Sequence, residues 1–241
     1  MPSVLAYHRP QELNEAADLL GRPGTAALAG GTLIVPTARQ ARDRGIELVD
    51  LQDLALEGVT ETNGRLLIGA MARLGDLADQ AEAPPLLREL CRRELPSALR
   101  NQATVGGTVA AAEAESLLLA GLLVHHARVH LHRVGVMDLE DYLDERPADI
   151  ITAIDVDPSG HGAVTSTGRT PADTPIVAAI GRQGPDRTLV ALTGVAPTPV
   201  LVDPTSPTTG LDPTADFRGS SPYRLHLAEV LTARVVEEVS R

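Results

Sequence analysis

The chain has no lysine and no tryptophan, and among 241 residues it has one phenylalanine, three tyrosines and one cysteine. Each scarcity excludes something. Without lysine, all 21 basic residues are arginine, so phosphate or flavin chemistry that needs a lysine is unavailable. With aromatics at 2%, the core has to be built from Leu, Val, Ile and Ala. A single cysteine excludes an internal disulfide framework, and an iron–sulfur cluster held by this chain's thiolates alone. No apolar stretch reaches the roughly 18 residues that cross a bilayer. The longest, Leu117 to Val124, runs into His125 and His126. The first residues have neither the basic start nor the apolar core of a signal peptide, so the expected location is cytoplasmic. Basic charge is also short: 32 acidic residues against 21 arginines give a formal net charge of −11. Such a surface repels phosphate backbones and argues against nucleic-acid binding.

What is present suits a globular protein of one domain or two small ones, with 43% hydrophobic residues to bury. The first segment reads strand (Ser3 to Tyr7), helix (Pro10 to Leu20, closed by Gly21), strand (Thr25 to Ala29), partial helix (Leu33 to Arg42) and strand (Ile46 to Leu51). In that first helix Leu13, Ala16, Ala17 and Leu20 share a face. A second segment follows to about Asp157. Asn63-Gly64 turns into a strand at Leu66 to Ile68, and Leu74 to Gln80 and Pro85 to Cys91 read as helices. Residues 97–108 break the periodicity. Val109 to Leu123 reads as one helix or a pair, followed by strands at Val129 to Leu131 and Ile150 to Ile154 around a helical turn at Asp138 to Leu143. From Pro158 to Pro175 the chain is rich in Gly, Ser, Thr and Pro, which predicts a long loop or domain boundary. An antiparallel pair follows (Ile176 to Ile180, Thr188 to Leu192), then a Pro- and Thr-rich linker to Ser221. Ser221 would cap a last helix with Leu227, Val230, Leu231, Val235 and Val239 on its buried stripe.

The two Gly-Gly pairs are the sharpest local features. Gly30-Gly31-Thr32 follows a strand, and Gly106-Gly107-Thr108 closes an aperiodic loop before a helix. Each reads either as a tight turn or as a nest of amides that accepts a phosphate, with Thr32, Thr104 and Thr108 as further donors. Neither matches a dinucleotide fingerprint or a Walker loop. His125, His126, His130 and His132 read as solvated or sheet-edge histidines, or as a metal site with no acidic partner at convincing spacing; no metal is expected. Glu113 and Glu115 precede a Leu-rich helix and favour its N-terminus. Cys91 reads either as a thiol whose pKa Arg92 and Arg93 lower or as an ordinary helix-surface thiol. Arg100 and Asn101 read as groups that orient the second glycine loop or contact a ligand phosphate or carbonyl, or as a surface Arg beside a turn-forming Asn. Arg169 and Asp173 form either a salt bridge in the long loop or a ligand contact. No Ser, His and acid set stands out, so no catalytic side chain is assigned.

The ordered set of local sequences resembles the FAD-binding subunit or domain of the molybdenum hydroxylases, as in the medium subunit of carbon monoxide dehydrogenase and the flavin domain of xanthine dehydrogenase. Tyr7-His8-Arg9-Pro10 with Glu12 and Ala16-Ala17 is similar to the family's start. Leu28-Ala29-Gly30-Gly31-Thr32 resembles its first pyrophosphate loop, and Ile68-Gly69-Ala70 its second subdomain's first strand. Arg100-Asn101-Gln102-Ala103-Thr104-Val105-Gly106-Gly107 resembles its second flavin loop. Arg169, Asp173 and Ile176 to Ala179 resemble the entry into its C-terminal domain, with Gly194 to Pro199 and Ser221 to Arg224 also similar.

The resemblance implies an α+β chain with a two-subdomain FAD-binding fold of the vanillyl-alcohol-oxidase/PCMH type (1–54 and 55–165), followed by a small C-terminal domain (170–241) with a three-stranded sheet and helices. It implies FAD held by Ala29, Gly30, Gly31, Thr32 and Leu33 and by Thr104, Gly106, Gly107 and Thr108, with Arg100, Asn101 and Arg169 as further contacts. It also implies a [2Fe–2S] subunit and a molybdopterin-containing large subunit as partners, with electrons passing from the clusters through FAD to an external acceptor. Thr108 stands where the family has Asn, Asp or Ser. Glu115-Ser116-Leu117 lacks its Asp, and residues 162–167 lack its aromatic and lysine. Two readings stay open on these residues, a flavoprotein subunit and a flavin-free structural or assembly subunit of the same fold. A third is a small anion- or nucleotide-binding module outside redox metabolism.

Overall fold

Three sheets follow one another along the chain in the computed structural model, which describes residues 4–36, 45–168 and 173–241. The first is parallel, ordered β1-β3-β2, from β1 (Val4–His8), β2 (Thr25–Leu28) and β3 (Ile46–Asp50). Parallel strands need a crossover, and α1 (Leu13–Leu20) connects β1 to β2, which lie on either side of β3. It begins three residues after Pro10. Ala16 and Leu19 are buried, whereas Leu13, Ala17 and Leu20 pack at the margin. Their cluster includes Met71 and Ile150 from the next unit, so the two units share a core. Helical backbone is described at 34–36; the rest of the helix expected to Arg42 lies outside the described residues.

The second sheet is antiparallel, ordered β4-β5-β8-β6-β7. Its strands are β4 (Val59–Thr62), β5 (Arg65–Gly69), β6 (Arg128–Leu131), β7 (Gly135–Asp138) and β8 (Ile151–Val156). Asn63 (φ 53°) and Gly64 (φ 72°) form the tight turn between β4 and β5, the left-handed pair that a two-residue hairpin requires. Five helices lie between β5 and β6: α2 (Leu74–Asp79), α3 (Pro85–Glu94), α4 (Ser97–Arg100), α5 (Val105–Ala111) and α6 (Leu117–Val124). A sixth, α7 (Leu139–Glu145), follows β7. The stretch that reads as one helix or two is two, parted at Ala112 (φ 47°). All eight residues of α6 are buried. A helix with no polar face has to be covered all round, and α6 packs against α3 on one side and the third sheet on another.

That third sheet is antiparallel, β12-β11-β10-β9, from β9 (His161–Thr167), β10 (Val177–Gln183), β11 (Thr188–Thr193) and β12 (Val200–Val202). The stretch expected as a loop is therefore partly β9, paired along its length with β10. The change of sheet comes at residues 157–160, at the start of the Pro158–Pro175 stretch, and β9 joins the three strands of residues 170–241 in one four-stranded sheet. The long helix α8 (Ser221–Val239) packs across β9 and β10. Ser220, not Ser221, is its cap. Its buried stripe is Ala228, Leu231, Thr232, Val235 and Val239, with Leu227 and Val230 only partly covered. Arg224 is buried on the same helix. It donates to the carbonyls of Ile176 (3.0 Å) and Gly194 (2.8 Å) and pairs with Asp216 (2.8 Å).

Candidate functional site

Strand β2 runs directly into Ala29-Gly30-Gly31-Thr32-Leu33. Gly31 is left-handed (φ 72°), and the Val35 amide closes the turn on the Gly31 carbonyl (3.1 Å). Gly30 lies so close to residues 102–103 that a Cβ on it would collide with the Gln102 carbonyl and stand 2.9 Å from the Ala103 Cα. The first glycine turn and the segment leading to the second therefore touch, backbone to backbone. Among the described residues, the amides of Gly30, Gly31 and Thr32 donate to no other group of the chain.

The second pair is built differently from the loop expected of it. Gly106 and Gly107 lie inside the first turn of α5, which starts at Val105. Thr104 is the cap, its hydroxyl oxygen accepting from the Gly107 amide (3.1 Å). The Val105 and Gly106 amides donate to the Ala72 (2.9 Å) and Ala70 (2.8 Å) carbonyls, and the Thr108 amide to Thr104 (2.9 Å). The Thr108 hydroxyl also donates to the Thr104 carbonyl (3.1 Å). These amides are satisfied within the protein. The pair serves close approach: a Cβ on Gly106 would stand 2.7 Å from that of Ala70. The open donors belong to the first turn.

A cavity of about 550 Å³ lies at this junction, within the roughly 300–1,000 Å³ common for small-molecule and cofactor sites. Ala29 to Leu33 line it, as do Thr104, Gly106, Gly107 and Thr108, together with apolar residues such as Leu51, Leu99 and Ile151. A smaller cavity of about 440 Å³ also touches Ala29, Gly30, Met71 and Thr104; its lining is polar, with Arg9, Gln52, Arg73 and Gln102. Arg100 and Asn101 line neither cavity. Arg100 caps the end of α3 by donating to the carbonyls of Arg92 (2.8 Å) and Leu95 (3.4 Å). Asn101 ends α4 and accepts from Arg73 through its carbonyl (3.0 Å). Arg169 lies outside the described residues.

Sequence reasoning missed Glu94, Tyr142 and Asp149, all on the larger cavity. Glu94 accepts from the Ser116 hydroxyl (2.6 Å) and the Leu118 amide (2.8 Å), tying α3 to the start of α6; burial pushes its pKa up. Burial also pushes on Asp149, but the amides of Val134, Arg133 and Ile150 outweigh it and hold that carboxyl below its usual range. No local spacing links these three residues; only the fold brings them together.

The histidines point to separate partners. His125 is buried and donates from Nδ1 to the Asp157 carbonyl (2.8 Å); burial pushes its pKa down to about 4. His130 meets Asp155 (2.6 Å), and His132 meets Asn14 (2.8 Å). Among the described residues no group of three or more His, Cys, Asp and Glu could hold a metal. Glu115 pairs with Arg218 and does not line the cavity, whereas Glu113 does. Cys91 is not the surface thiol expected. It is fully buried, and burial, with a smaller contribution from Glu94, pushes its pKa up to about 12. Only the thiolate attacks. At pH 8 the folded chain is therefore expected to resist a thiol reagent that labels it fully in denaturant. Fast labelling of the native chain would contradict this burial.

Residues 3–157 match the family described as the FAD binding domain in molybdopterin dehydrogenase. Over 244 residues the chain is 32% identical to an uncharacterized protein of Escherichia coli K12, YgfM, covering 94% of this chain and 93% of that one. It is 28% identical to the carbon monoxide dehydrogenase medium chain of Afipia carboxidovorans, covering 98% of this chain and 97% of that one. Among solved structures it is similar to a chain of a Cu,Mo-CO dehydrogenase (TM-score 0.87, 26% identity, 99% and 98% covered). It shares the fold of a chain of the Hydrogenophaga pseudoflava carbon monoxide dehydrogenase (TM-score 0.90, 22% identity, 100% and 98% covered).

Proposed function

This chain belongs to the FAD-binding subunits of the molybdenum hydroxylase family, and we propose that it carries electrons through that flavin from a [2Fe–2S] subunit to an external acceptor. FAD is its cofactor. The observation that carries the reading is the junction itself, where three amides without partners, on Gly30, Gly31 and Thr32, open on a cavity of about 550 Å³. Amides in such a turn suit a diphosphate. Among the described residues no arginine lines the larger cavity, and there the neutral amides would meet the phosphate charge. Thr104, Gly106 and Gly107 would form the facing wall, and their closed hydrogen bonds would keep that wall rigid.

Bound FAD supplies the redox chemistry, accepting and passing on electrons that the chain's own side chains cannot carry. The protein's part is position, and exclusion of water by residues such as Leu51, Leu99 and Ile151. Electrons have to arrive from outside, since the one cysteine is buried and cannot hold a cluster. That requirement supports an iron–sulfur partner, and behind it a molybdopterin-containing subunit where the substrate is oxidised. The test is titration of the purified chain with FAD, followed by the visible flavin absorption band and the affinity. Saturable one-to-one binding is expected. A folded sample that binds no FAD at high micromolar concentration would instead be a structural subunit that kept the shape and lost the cofactor.

A further inference from the structure

The larger cavity is lined by three carboxylic acids, Glu94, Glu113 and Asp149, and FAD brings an anionic diphosphate into it. An occupant penalises an ionised carboxyl in two ways: it takes away water, and a second anion repels the charge. We propose that FAD binding is coupled to the uptake of one proton by Glu94, so that the chain holds its cofactor more tightly as pH falls. The inference rests on the flavin reading above. Both effects have the same sign whichever end of the cavity takes the flavin ring.

Of the three acids, Glu94 is the one placed to take the proton. Glu113 is exposed, and water screens it. Asp149 accepts from the amides of Arg133 (2.6 Å), Val134 (2.9 Å) and Ile150 (2.8 Å), bonds that hold its charge. Glu94 is the last residue of α3, half-buried on a helix packed against α4 and α6. Among the described residues it makes no ion pair. Arg100 of α4 donates to the Arg92 and Leu95 carbonyls, Arg93 turns to Glu89 (3.2 Å) and Ser166 (2.7 Å), and Arg218 pairs with Glu115. Cys91, one turn earlier, is a neutral thiol. Burial already pushes the Glu94 pKa up, against the pull of Ser116 and the Leu117 and Leu118 amides. The proton also has a place to sit. The Ser116 hydroxyl oxygen accepts from the Leu119 amide (3.1 Å) and keeps a second lone pair. A neutral Glu94 donates to that oxygen from Oε1, while Oε2 goes on accepting from the Leu118 amide. The Ser116 hydroxyl hydrogen, released from Glu94, is then free to donate into the cavity that Ser116 lines. One proton from solvent thus removes a negative charge from the wall and adds a donor to it.

The pKa of Glu94 is then higher in the complex than in the free chain, so affinity rises as pH falls through that interval. Wild type is expected to bind FAD about three- to tenfold more tightly at pH 5.5 than at pH 8, the span that a rise of ~0.5–1 in one carboxyl's pKa gives. Calorimetric titration with FAD at pH 6.5, in buffers of different ionisation enthalpy, shows net proton uptake. Glu94→Gln cannot ionise and keeps an acceptor for the Leu118 amide. It binds FAD at pH 8 nearly as tightly as wild type does at pH 5.5, and most of the pH dependence is gone. Glu89→Gln removes an exposed carboxylate of the same helix outside the cavity, and keeps the dependence. Should Glu94→Gln fail to fold, proton uptake by the wild-type chain decides alone. FAD bound with pH-independent affinity and no proton uptake overturns the proposal and leaves the flavin reading standing. An unchanged dependence in Glu94→Gln also overturns it, by placing the proton on another group. Absence of FAD binding by the folded wild-type chain at either pH overturns both.

Discussion

Gly30→Ala is expected to weaken FAD binding roughly 10- to 100-fold, the range that ~1.4–2.8 kcal/mol of overpacking produces. The added methyl would collide with the Gln102 carbonyl and stand 2.7 Å from its carbon and 2.9 Å from the Ala103 Cα. All three are backbone atoms, so no rotamer change relieves the clash. Relief comes only by moving the Gly30 turn away from residues 102–104, and that junction is where the open amides face the cavity. Gly64→Ala is the control. It also strains a left-handed position (φ 72°), but in an open hairpin where an added Cβ meets nothing within 4 Å. It should cost stability of about 1–2 kcal/mol, the penalty of left-handed backbone in a non-glycine residue, and leave FAD affinity unchanged. FAD titration and urea denaturation of both variants separate the two effects. Wild-type affinity in Gly30→Ala would mean that the diphosphate is held elsewhere.

The contrast between the two glycine pairs also marks what local sequence can carry. That both would matter was visible from their places after a strand and before a helix. That only the first offers free amides was not, because the Gly106 amide is satisfied by the Ala70 carbonyl, more than thirty residues upstream. One local sign of the helical start was present and unused: Thr104 stands three residues before Gly107, the spacing of a capping hydroxyl. The missed strands share a physical cause. β4, β7, β9 and β12 are all sheet edges. An edge strand half in solvent needs little apolar alternation, and Val59-Thr60-Glu61-Thr62 has almost none. The central strands β5, β8, β10 and β11 are buried, and their Leu, Ile and Val runs announced them. Glu94, Tyr142 and Asp149 lie on elements separated by dozens of residues, so their meeting at one cavity is a property of the packing alone.

Arg182→Met is expected to cost about 2–5 kcal/mol of folding stability, because a buried four-acceptor guanidinium is lost and buried carbonyls are left unpaired at about 1–3 kcal/mol each. Domains of this kind have only about 5–15 kcal/mol in total. Arg182 on β10 is 1% exposed and donates to four acceptors: the carbonyls of Val124 (2.9 Å) and Ser159 (2.8 Å), the Ser159 hydroxyl (3.0 Å) and the Asp157 carboxylate (2.5 Å). It ties the end of α6 and the crossing from β8 to β9 onto the third sheet. Methionine fills much of the volume but donates to neither the Val124 nor the Ser159 carbonyl, and leaves the Asp157 carboxylate with Ser159 alone. The loss should also depend on pH. Burial pushes Asp157 up, but its bonds to Ser159 and Arg182 outweigh this and hold it at about 2, below the roughly 3.9 of an unfolded chain. A group depressed in the folded state stabilises above its unfolded pKa, and that contribution fades as pH falls through its folded one. His125, lowered to about 4 by burial and in smaller part by the Arg182 charge, acts in the same direction between about 6.5 and 4. Removing Arg182 relaxes both groups toward their ordinary values. Urea denaturation at pH 7, 5 and 3 should therefore show the gap between wild type and Arg182→Met widest at neutral pH and narrowing steadily in acid. A gap that stays constant across this range would mean that Arg182 acts by packing alone, without stabilising the Asp157 charge.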